Sequence, residues 1–190
     1  MEKVKGINSL SNYFLIALPI LENTYFGHTV SLICRHDEHG AMGLVFNKLS
    51  NISFGDILSE LNITPINPEY NNLPIYDGGP VHRQRGFIVH SPLGNWQTSI
   101  KVNDNIAITS SKDIIEAIAN GEGPDNYLIT LGCAGWSQGQ LEQELLNNSW
   151  ITTPLDSNIL FAPSYADKWQ RSVEKIGVDI NKIAPTVGFA

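Results

Sequence analysis

The feature that most constrains this fold is an uninterrupted apolar segment, Tyr127–Leu131, which a glycine-rich stretch follows directly. Apart from Thr130, its side chains are apolar or aromatic, and they do not alternate with polar ones. Because a strand that is covered on both faces has this pattern, we expect the segment to lie inside a sheet and not at its edge. We also expect Trp136 to pack back over the residues before it, since a large aromatic side chain gains most when it is covered.

The glycine-rich stretch after this strand predicts a sharp change of chain direction. Gly132 and Gly135 permit a tight turn and a close approach of two backbones. Ser137 and Gln140 have the spacing of a capping box, so we expect a helix over Gln138–Asn147. A strand, a glycine-rich corner and a helix N-terminus in this order commonly bind an anion or a small ligand. The alternative is that the corner only connects a strand to a helix.

Other segments of the chain predict hairpins. Thr29–Arg35 alternates in the manner of a strand, and the polar turn His36–Gly40 joins it to the apolar segment Ala41–Asn47. A second pair of strands is expected at Gly86–His90 and Trp96–Val102. Shorter strands are expected at Tyr13–Leu18, Ile106–Thr109, Trp150–Ile151 and Ile159–Phe161.

Helices are expected where a serine precedes an apolar helical face, at Ser53, Ser110 and Ser164, and the last of them should end at Gly177. Strands therefore occur both in hairpins and in alternation with helices. This combination predicts an α+β (mixed α/β) fold, a compact mixed β-sheet with hairpins that is covered by about four helices. A chain of this length is expected to form one domain over residues 1–190, with room for a small second lobe.

The charge of the chain excludes one class of function. Its formal net charge is −7, and a uniformly acidic protein repels nucleic acid unless its basic residues cluster. Arg83 and Arg85 are the closest pair of arginines, so we expect no direct nucleic-acid binding. Two cysteines, Cys34 and Cys133, suggest free thiols in a reducing compartment, with a single disulfide between them as the alternative. The apolar run Phe14–Leu21 is too short to span a membrane and has no signal-peptide cleavage site, so a cytoplasmic location is expected.

Several motifs, in their order and spacing, resemble those of the bacterial YqgE/AlgH family. They are Gly40–Asn47, Gly78–Val81 with Arg85–Phe87, and Gly132–Trp136 with Gly139–Glu142. The resemblance covers nearly the whole chain. It implies a compact cytoplasmic α+β protein without an established enzymatic reaction, and the name of one branch implies transcriptional regulation of exopolysaccharide synthesis. Cys133 stands where an aromatic residue is usual in that family.

The two glycine-rich segments of the chain suggest a shared cleft. Neither has the spacing of a phosphate-binding loop or of a dinucleotide fingerprint, and no nucleophile elbow occurs. Turn geometry alone is the alternative interpretation. The residues predicted to bind a ligand or partner are Gly78, Gly79, Pro80, Gly132, Cys133, Gly135 and Trp136.

Histidine and cysteine supply the other candidates for chemistry. The segment 36–39 contains imidazole and carboxylate groups that suit zinc or manganese, but adjacent residues on a turn rarely converge, so a solvated turn is favoured. His82 and His90 are candidate ligand contacts, with satisfied polar residues at strand ends as the alternative. Cys133 could be a nucleophile or redox sensor near a helix N-terminus. However, the sequence shows no neighbouring base, and a small residue tolerated in a tight turn is favoured.

These observations predict a non-enzymatic binding or regulatory module in the cytoplasm. Its partner is an unidentified protein or small molecule, and the sequence predicts no catalytic residue, no metal ligand, no cofactor and no membrane association. The alternative function is that of a thiol-redox or small-ligand enzyme that uses Cys133. The oligomeric state stays open.

Overall fold

The predicted α+β fold is confirmed by a computed structural model of the chain, which describes residues 9–177. Within this part, nine strands form one sheet, accompanied by five α-helices. The strands are β1 (Tyr13–Ala17), β2 (Val30–Asp37), β3 (Gly40–Val45), β4 (Ile75–Asp77), β5 (Val81–Ser91), β6 (Ser99–Lys101), β7 (Ala107–Thr109), β8 (Asn126–Ser137) and β9 (Trp150–Pro154). The helices are α1 (Phe54–Glu60), α2 (Lys112–Ala119), α3 (Gln140–Leu146), α4 (Ser157–Leu160) and α5 (Tyr165–Ile176), with short 3₁₀ helices at Pro19–Leu21 and Pro68–Asn72.

The long strand β8 lies in the middle of the sheet. The strands are ordered β6-β7-β5-β8-β3-β2-β1-β9, and all neighbours along this path are antiparallel. β4 lies off the path and pairs with β8 in parallel, so the sheet is mixed, as predicted. Leu128, Ile129 and Thr130 are buried. The prediction that this apolar segment lies inside the sheet is therefore confirmed.

The sheet curls around the largest hydrophobic cluster. Phe14 of β1 and Ile108 of β7 belong to this one cluster although their strands are far apart in the sheet, and Val173 of α5 joins them. On the opposite face, α3 covers one half through Leu141, next to Trp136 and Trp150. The other half of that face packs against α1 and α2. The alternation of strand residues between the two faces explains why β2 contributes to both clusters.

The predicted helix signals at Ser53 and Gly177 are confirmed. Ser53 Oγ accepts a hydrogen bond from the amide of Asp56, whose carboxylate accepts one from the amide of Ser53 in return, so the capping box is complete. Gly177 has a left-handed conformation, φ +71°, and forms the C-cap of α5. Among the described helices, none has the length and apolarity needed to cross a bilayer.

The predicted corner after Leu131 is wrong, because β8 continues as a strand to Ser137. β3 supplies a hydrogen-bonded partner for this second half, with Gly40 opposite Ser137 and Gly43 opposite Ala134. The capping box expected at Ser137 is half formed: the Gln140 side chain accepts from the Ser137 amide, but Gly139 is the N-cap of α3.

The predicted strand at Ile159–Phe161 is also wrong, since Ile159 and Leu160 belong to α4. Asp156 precedes this helix, and its carboxylate accepts a hydrogen bond of 3.0 Å from the Asn158 amide. A local cap of this kind stabilises a short helical turn. The apolar residues of α4 therefore reach the core without forming a strand.

Candidate functional site

A wide bulge in β5 is the most irregular feature of the sheet. Val81 is paired with Cys133 and Gly86 with Leu131, so the four residues His82–Arg85 lie opposite Gly132 alone. All four are exposed, and His82 has a positive φ of +50°. β-Bulges commonly occur beside binding sites, where they redirect side chains. We call His82–Arg85 the basic bulge.

Glycines explain how the basic bulge fits against β8. Gly132 has φ +75°, and a Cβ atom at this position would collide with the carbonyl oxygen of Gly79 and lie 3.3 Å from Cα of Arg83. A Cβ atom at Gly78 would collide with the carbonyl oxygen of Gly132, and one at Gly79 would collide with the backbone of Cys133. The two glycine-rich segments therefore meet, as the sequence suggested, but they pack backbone against backbone. Their buried glycines position the bulge and do not line an open cleft.

A pocket of about 210 Å³ lies beside the bulge, inside the curl of the sheet. Its apolar wall consists of Cys34, Met42, Phe87, Ile100, Ile108 and Cys133. Its polar residues are Arg35, His82, Arg85, Thr98 and Ser110. We call this cavity the arginine pocket. It combines an apolar interior with cationic and hydroxyl groups, which is the usual composition of a site for a small organic ligand.

The arginines of this pocket are held in place by neighbouring groups. Arg85 Nη2 donates to Ser110 Oγ over 3.1 Å, and its guanidinium carbon lies 5.3 Å from the centre of the Phe87 ring. Arg35 Nε lies 3.3 Å from Asp37 Oδ2 in an ion pair. Arg85 has no acidic partner in the described part of the chain. An oriented guanidinium without a counter-ion is suited to bind an oxyanion.

The outer side of the basic bulge forms a second, open depression. It has a volume of about 560 Å³ and is lined by the four bulge residues, His82, Arg83, Gln84 and Arg85. His82 and Arg85 also line the arginine pocket, so the two spaces adjoin each other at these two side chains. Arg83, like Arg85, forms no ion pair within residues 9–177. The arginine pocket and this outer depression are together lined by three of the four arginines of the chain, Arg35, Arg83 and Arg85.

Both cysteines line the arginine pocket as free thiols. Burial raises the pKa of Cys133, and the positive charge of Arg85 offsets only part of this increase. Burial also raises the pKa of Cys34, and the neighbouring Cys133 raises it further. Both groups are therefore protonated near neutral pH, and the environment does not activate either as a nucleophile.

Trp136 is buried, as predicted, but it does not cover a corner, because β8 continues through this position and the ring packs on Phe26 and Trp150 instead. It is only 6% exposed, and its ring stacks near Phe26 and meets Trp150 edge to face at 6.0 Å. Its indole nitrogen donates to Glu144 over 2.8 Å. Trp136 is therefore covered by the protein itself, on the face of the sheet opposite the arginine pocket.

The structure thus separates the predicted binding residues into three groups. Cys133 lines the arginine pocket, whereas Pro80 and Gly135 are exposed near the bulge. The buried members are Gly78, Gly79, Gly132 and Trp136. What the sequence interpretation missed is the arginines. The tripeptide Arg83-Gln84-Arg85 was a signal for them, because it places half of the chain's arginines directly before the expected strand Gly86–His90.

The histidines have separate roles. His36, assigned to a solvated turn, is buried: its Nδ1 accepts from the Leu10 amide, and its Nε2 therefore donates to Glu142 Oε1 over 2.9 Å. That interpretation is wrong for His36, because α3 supplies a partner that the local sequence does not show. His90 is buried and hydrogen-bonded. Within residues 9–177, no three His, Cys, Asp or Glu residues lie close enough together to hold a metal ion.

Comparison with known proteins finds relatives that match almost the whole chain. A UPF0301 protein of Xanthomonas axonopodis pv. citri is 45% identical over 181 residues, covering 95% of this chain and 96% of its own length. A UPF0301 protein of Xanthomonas campestris pv. campestris is equally similar, at 45% identity with the same coverage.

Solved structures show the same architecture. The solution structure of the AlgH protein from Pseudomonas aeruginosa superposes with a TM-score of 0.80 at 35% identity, covering 100% of both chains. The crystal structure of protein DIP2367 from Corynebacterium diphtheriae shares the fold, with a TM-score of 0.71 at 21% identity over 92% of this chain and 90% of that one. Residues 14–181 match the sequence profile of the DUF179 family, which is described as AlgH-like. The chain therefore belongs to the AlgH-like family.

Proposed function

We propose that this protein is a binding module for a small organic acid and that the arginine pocket is its site. The observation that carries this proposal is Arg85: its guanidinium is oriented by Ser110 and Phe87 but forms no ion pair with an acidic residue in the described part of the chain. The apolar wall beside it fits a hydrocarbon or aromatic body. A ligand that has both parts satisfies the guanidinium and covers the wall at once.

Binding without catalysis is favoured by the chemistry of the pocket. A nucleophile requires an adjacent base and a group that orients this base, and the two thiols are kept protonated by burial.

In this proposal the bound ligand controls a regulatory role of the module. The proposed location is the cytoplasm, a reducing compartment in which two free thiols persist. Direct reading of DNA is not part of this proposal, because a net charge of −7 opposes contact with phosphate backbones. The proposal takes residues 1–190 to form one AlgH-like domain.

Ligand titration followed by NMR tests the proposal. Benzoate and related aromatic or aliphatic acids are added to the protein, and amide shifts are followed for the residues of the pocket. We expect saturable shifts at the basic bulge in the wild type, and Arg85→Met should weaken binding about tenfold or more, the loss of one charge-assisted contact. Arg171→Met, which removes an exposed arginine on α5, serves as the control. Equal affinity of the Arg85 and Arg171 variants would refute the site.

A thiol-dependent activity is the second candidate, because Cys133 lines the same pocket. A chromogenic disulfide reagent measures the reactivity of this thiol across pH, with Cys34→Ser used to isolate it. The raised pKa predicts that Cys133 reacts more slowly than free cysteine near neutral pH. Reaction faster than that of free cysteine would favour the thiol mechanism over simple binding.

A further inference from the structure

We infer that the acidic group of the ligand is a dianionic phosphoryl group, so that the ligand is a small phosphate monoester with an apolar or aromatic body. This inference rests on the proposed function and concerns the same site. It follows from the charges around the basic bulge, from the arrangement of the two adjoining spaces, and from the hydrogen bonds left available there.

The first step is the balance of charge. Arg35 is compensated by Asp37, 3.3 Å away. Arg83 and Arg85 form no ion pair with an acidic residue in the described chain. Two unpaired guanidinium groups on one short bulge repel each other unless an anion lies between them. A carboxylate or sulfonate neutralises one of the two, whereas a phosphate monoester above its second pKa, about 6, neutralises both.

The second step is the shape of the site. Arg85 borders both spaces, and Arg83 borders only the outer depression. A group that contacts both guanidiniums therefore lies at the boundary, over Arg85, and an attached apolar body extends into the arginine pocket toward Phe87. An inorganic anion would leave this pocket unused. The geometry thus favours an ester over the free phosphate ion.

The third step is the hydrogen-bond capacity. Ser110 Oγ accepts from Arg85, so its own hydrogen is available for a ligand. Thr98 contributes a second hydroxyl to the same wall. A phosphoryl group has three terminal oxygens and can accept from two guanidiniums and a hydroxyl at the same time, whereas a carboxylate has two oxygens. The donors around the bulge therefore exceed what a carboxylate can use.

A series of ligands that share a phenyl ring tests this inference. Phenyl phosphate, benzenesulfonate, benzoate and inorganic phosphate are titrated calorimetrically at fixed ionic strength and about pH 8, above the second pKa of the ester. We expect phenyl phosphate to bind about tenfold or more tightly than the others. Arg83→Met should reduce this advantage, and it should change benzoate binding by less than about twofold, because one guanidinium suffices for a carboxylate. Arg171→Met should change neither.

The pH dependence provides an independent readout. Lowering the pH to about 5 protonates phenyl phosphate to the monoanion and should weaken its binding relative to benzenesulfonate, which keeps a single charge. Tight binding of benzoate or benzenesulfonate, equal to that of phenyl phosphate, would overturn the phosphoryl inference but leave the proposed function intact. If inorganic phosphate binds as tightly as phenyl phosphate, the inference that the ligand is an ester is overturned.

Two further outcomes complete the test. Failure of every ligand to distinguish the Arg85→Met variant from the wild type would overturn both proposals together. Vesicles that contain phosphatidic acid separate a lipid headgroup from a soluble ester. We expect the protein to stay in the supernatant after sedimentation, and pelleting with such vesicles would overturn the assignment to a small molecule.

Discussion

The indole N–H groups of Trp136 and Trp150 donate to the same carboxylate oxygen, Oε2 of Glu144, each over 2.8 Å. The two rings meet edge to face at an angle of 77°. The other oxygen of Glu144 accepts from the Gln140 side chain. This single carboxylate therefore joins the end of β8 to α3 and β9.

Replacement of Trp136 should test how much this joint stabilises the fold. Trp136→Ala removes a ring that is only 6% exposed and leaves a cavity against Phe26 and Trp150. We expect the free energy of unfolding to fall by about 3–5 kcal/mol, as measured by urea denaturation. Tyr165→Ala, at a side chain that is 45% exposed, is the control and should change it by less than about 1 kcal/mol. An unchanged free energy of unfolding for Trp136→Ala would show that the ring is not structural.

Removal of the shared acceptor, the carboxylate of Glu144, should lower the stability of the protein through lost hydrogen bonds and not through a cavity. Glu144→Leu leaves two indole N–H groups buried without an acceptor, and each costs about 1–3 kcal/mol. We expect a loss of stability and a change in tryptophan fluorescence, while the volume of the side chain is nearly kept. Gln143→Leu, on the exposed side of α3, is the matched control. If both variants unfold at the same urea concentration, the hydrogen bonds to Glu144 do not contribute measurably.

Gly132 should be far less tolerant of a side chain than Gly139. Both have a left-handed backbone, φ +75° and +74°, but a Cβ atom at Gly139 meets nothing within 4 Å. Gly139→Ala therefore measures the cost of the backbone conformation alone, about 1 kcal/mol. Gly132→Ala adds the collision with the carbonyl oxygen of Gly79. We expect its denaturation midpoint to fall clearly below that of Gly139→Ala, with altered NMR shifts in the basic bulge. Equal stability would contradict this role of Gly132.

His90 should make the protein less stable in mild acid. Its Nδ1 faces the Pro92 carbonyl, so Nδ1 carries the hydrogen and Nε2 accepts from Thr109 in the neutral ring. Burial lowers the pKa of His90 in the folded protein, and the bond to Pro92 opposes this only in part. In the unfolded chain the pKa is about 6.5, so below this pH the unfolded state binds the proton first.

The free energy of unfolding should therefore be highest above about pH 6.5 and should fall as the pH is lowered toward the folded pKa. Denaturation curves at several pH values measure this loss. His90→Gln should be less stable than the wild type, but its free energy of unfolding should lack the part of the pH dependence that comes from His90. If the free energy of unfolding falls equally in the wild type and in His90→Gln between neutral and acidic pH, His90 is not the source of the pH dependence.

Lys168 is expected to lower the free energy of unfolding of the protein. Its ammonium is fully buried, donates to the Phe46 carbonyl over 3.3 Å and lies 4.7 Å from the centre of the Tyr76 ring, with no carboxylate partner in the described chain. Burial lowers the pKa of Lys168 to about 8. Between this value and about 10.4, the unfolded state holds a proton that the folded state has lost, so stability should rise with pH over this range.

Lys168→Met should remove this pH dependence. Near neutral pH it should also raise the free energy of unfolding by about 1–3 kcal/mol, because a buried charge is replaced by an apolar side chain of similar length. Thermal denaturation at about pH 7 and pH 10 measures both effects. A large loss of stability in this variant would instead show that the ammonium makes a necessary contact.

Local patterns predicted most of the fold, and long-range pairing explains what they missed. The apolar segment around Ile129 and the capping box at Ser53 are decided within a few residues, and both predictions are confirmed. The glycine-rich segment after Leu131 was ambiguous, since its backbone can turn or extend, and pairing with β3 decides that it extends. Nothing near Arg85 in the sequence shows that Gly132 will allow a bulge there. Sites that depend on such distant pairs cannot be found from local patterns.

The pairing of β1 with β9 has a consequence for how the protein folds during synthesis. Tyr13 lies opposite Pro154, so β1 acquires one of its two neighbours only after residue 154 has left the ribosome. β8 in turn needs partners that were made much earlier, in β3 and β5. Folding slows as contacts become more distant along the chain. Until β9 emerges, one edge of β1 has exposed hydrogen-bonding groups, and an unpaired strand edge of this kind makes the nascent chain vulnerable to aggregation.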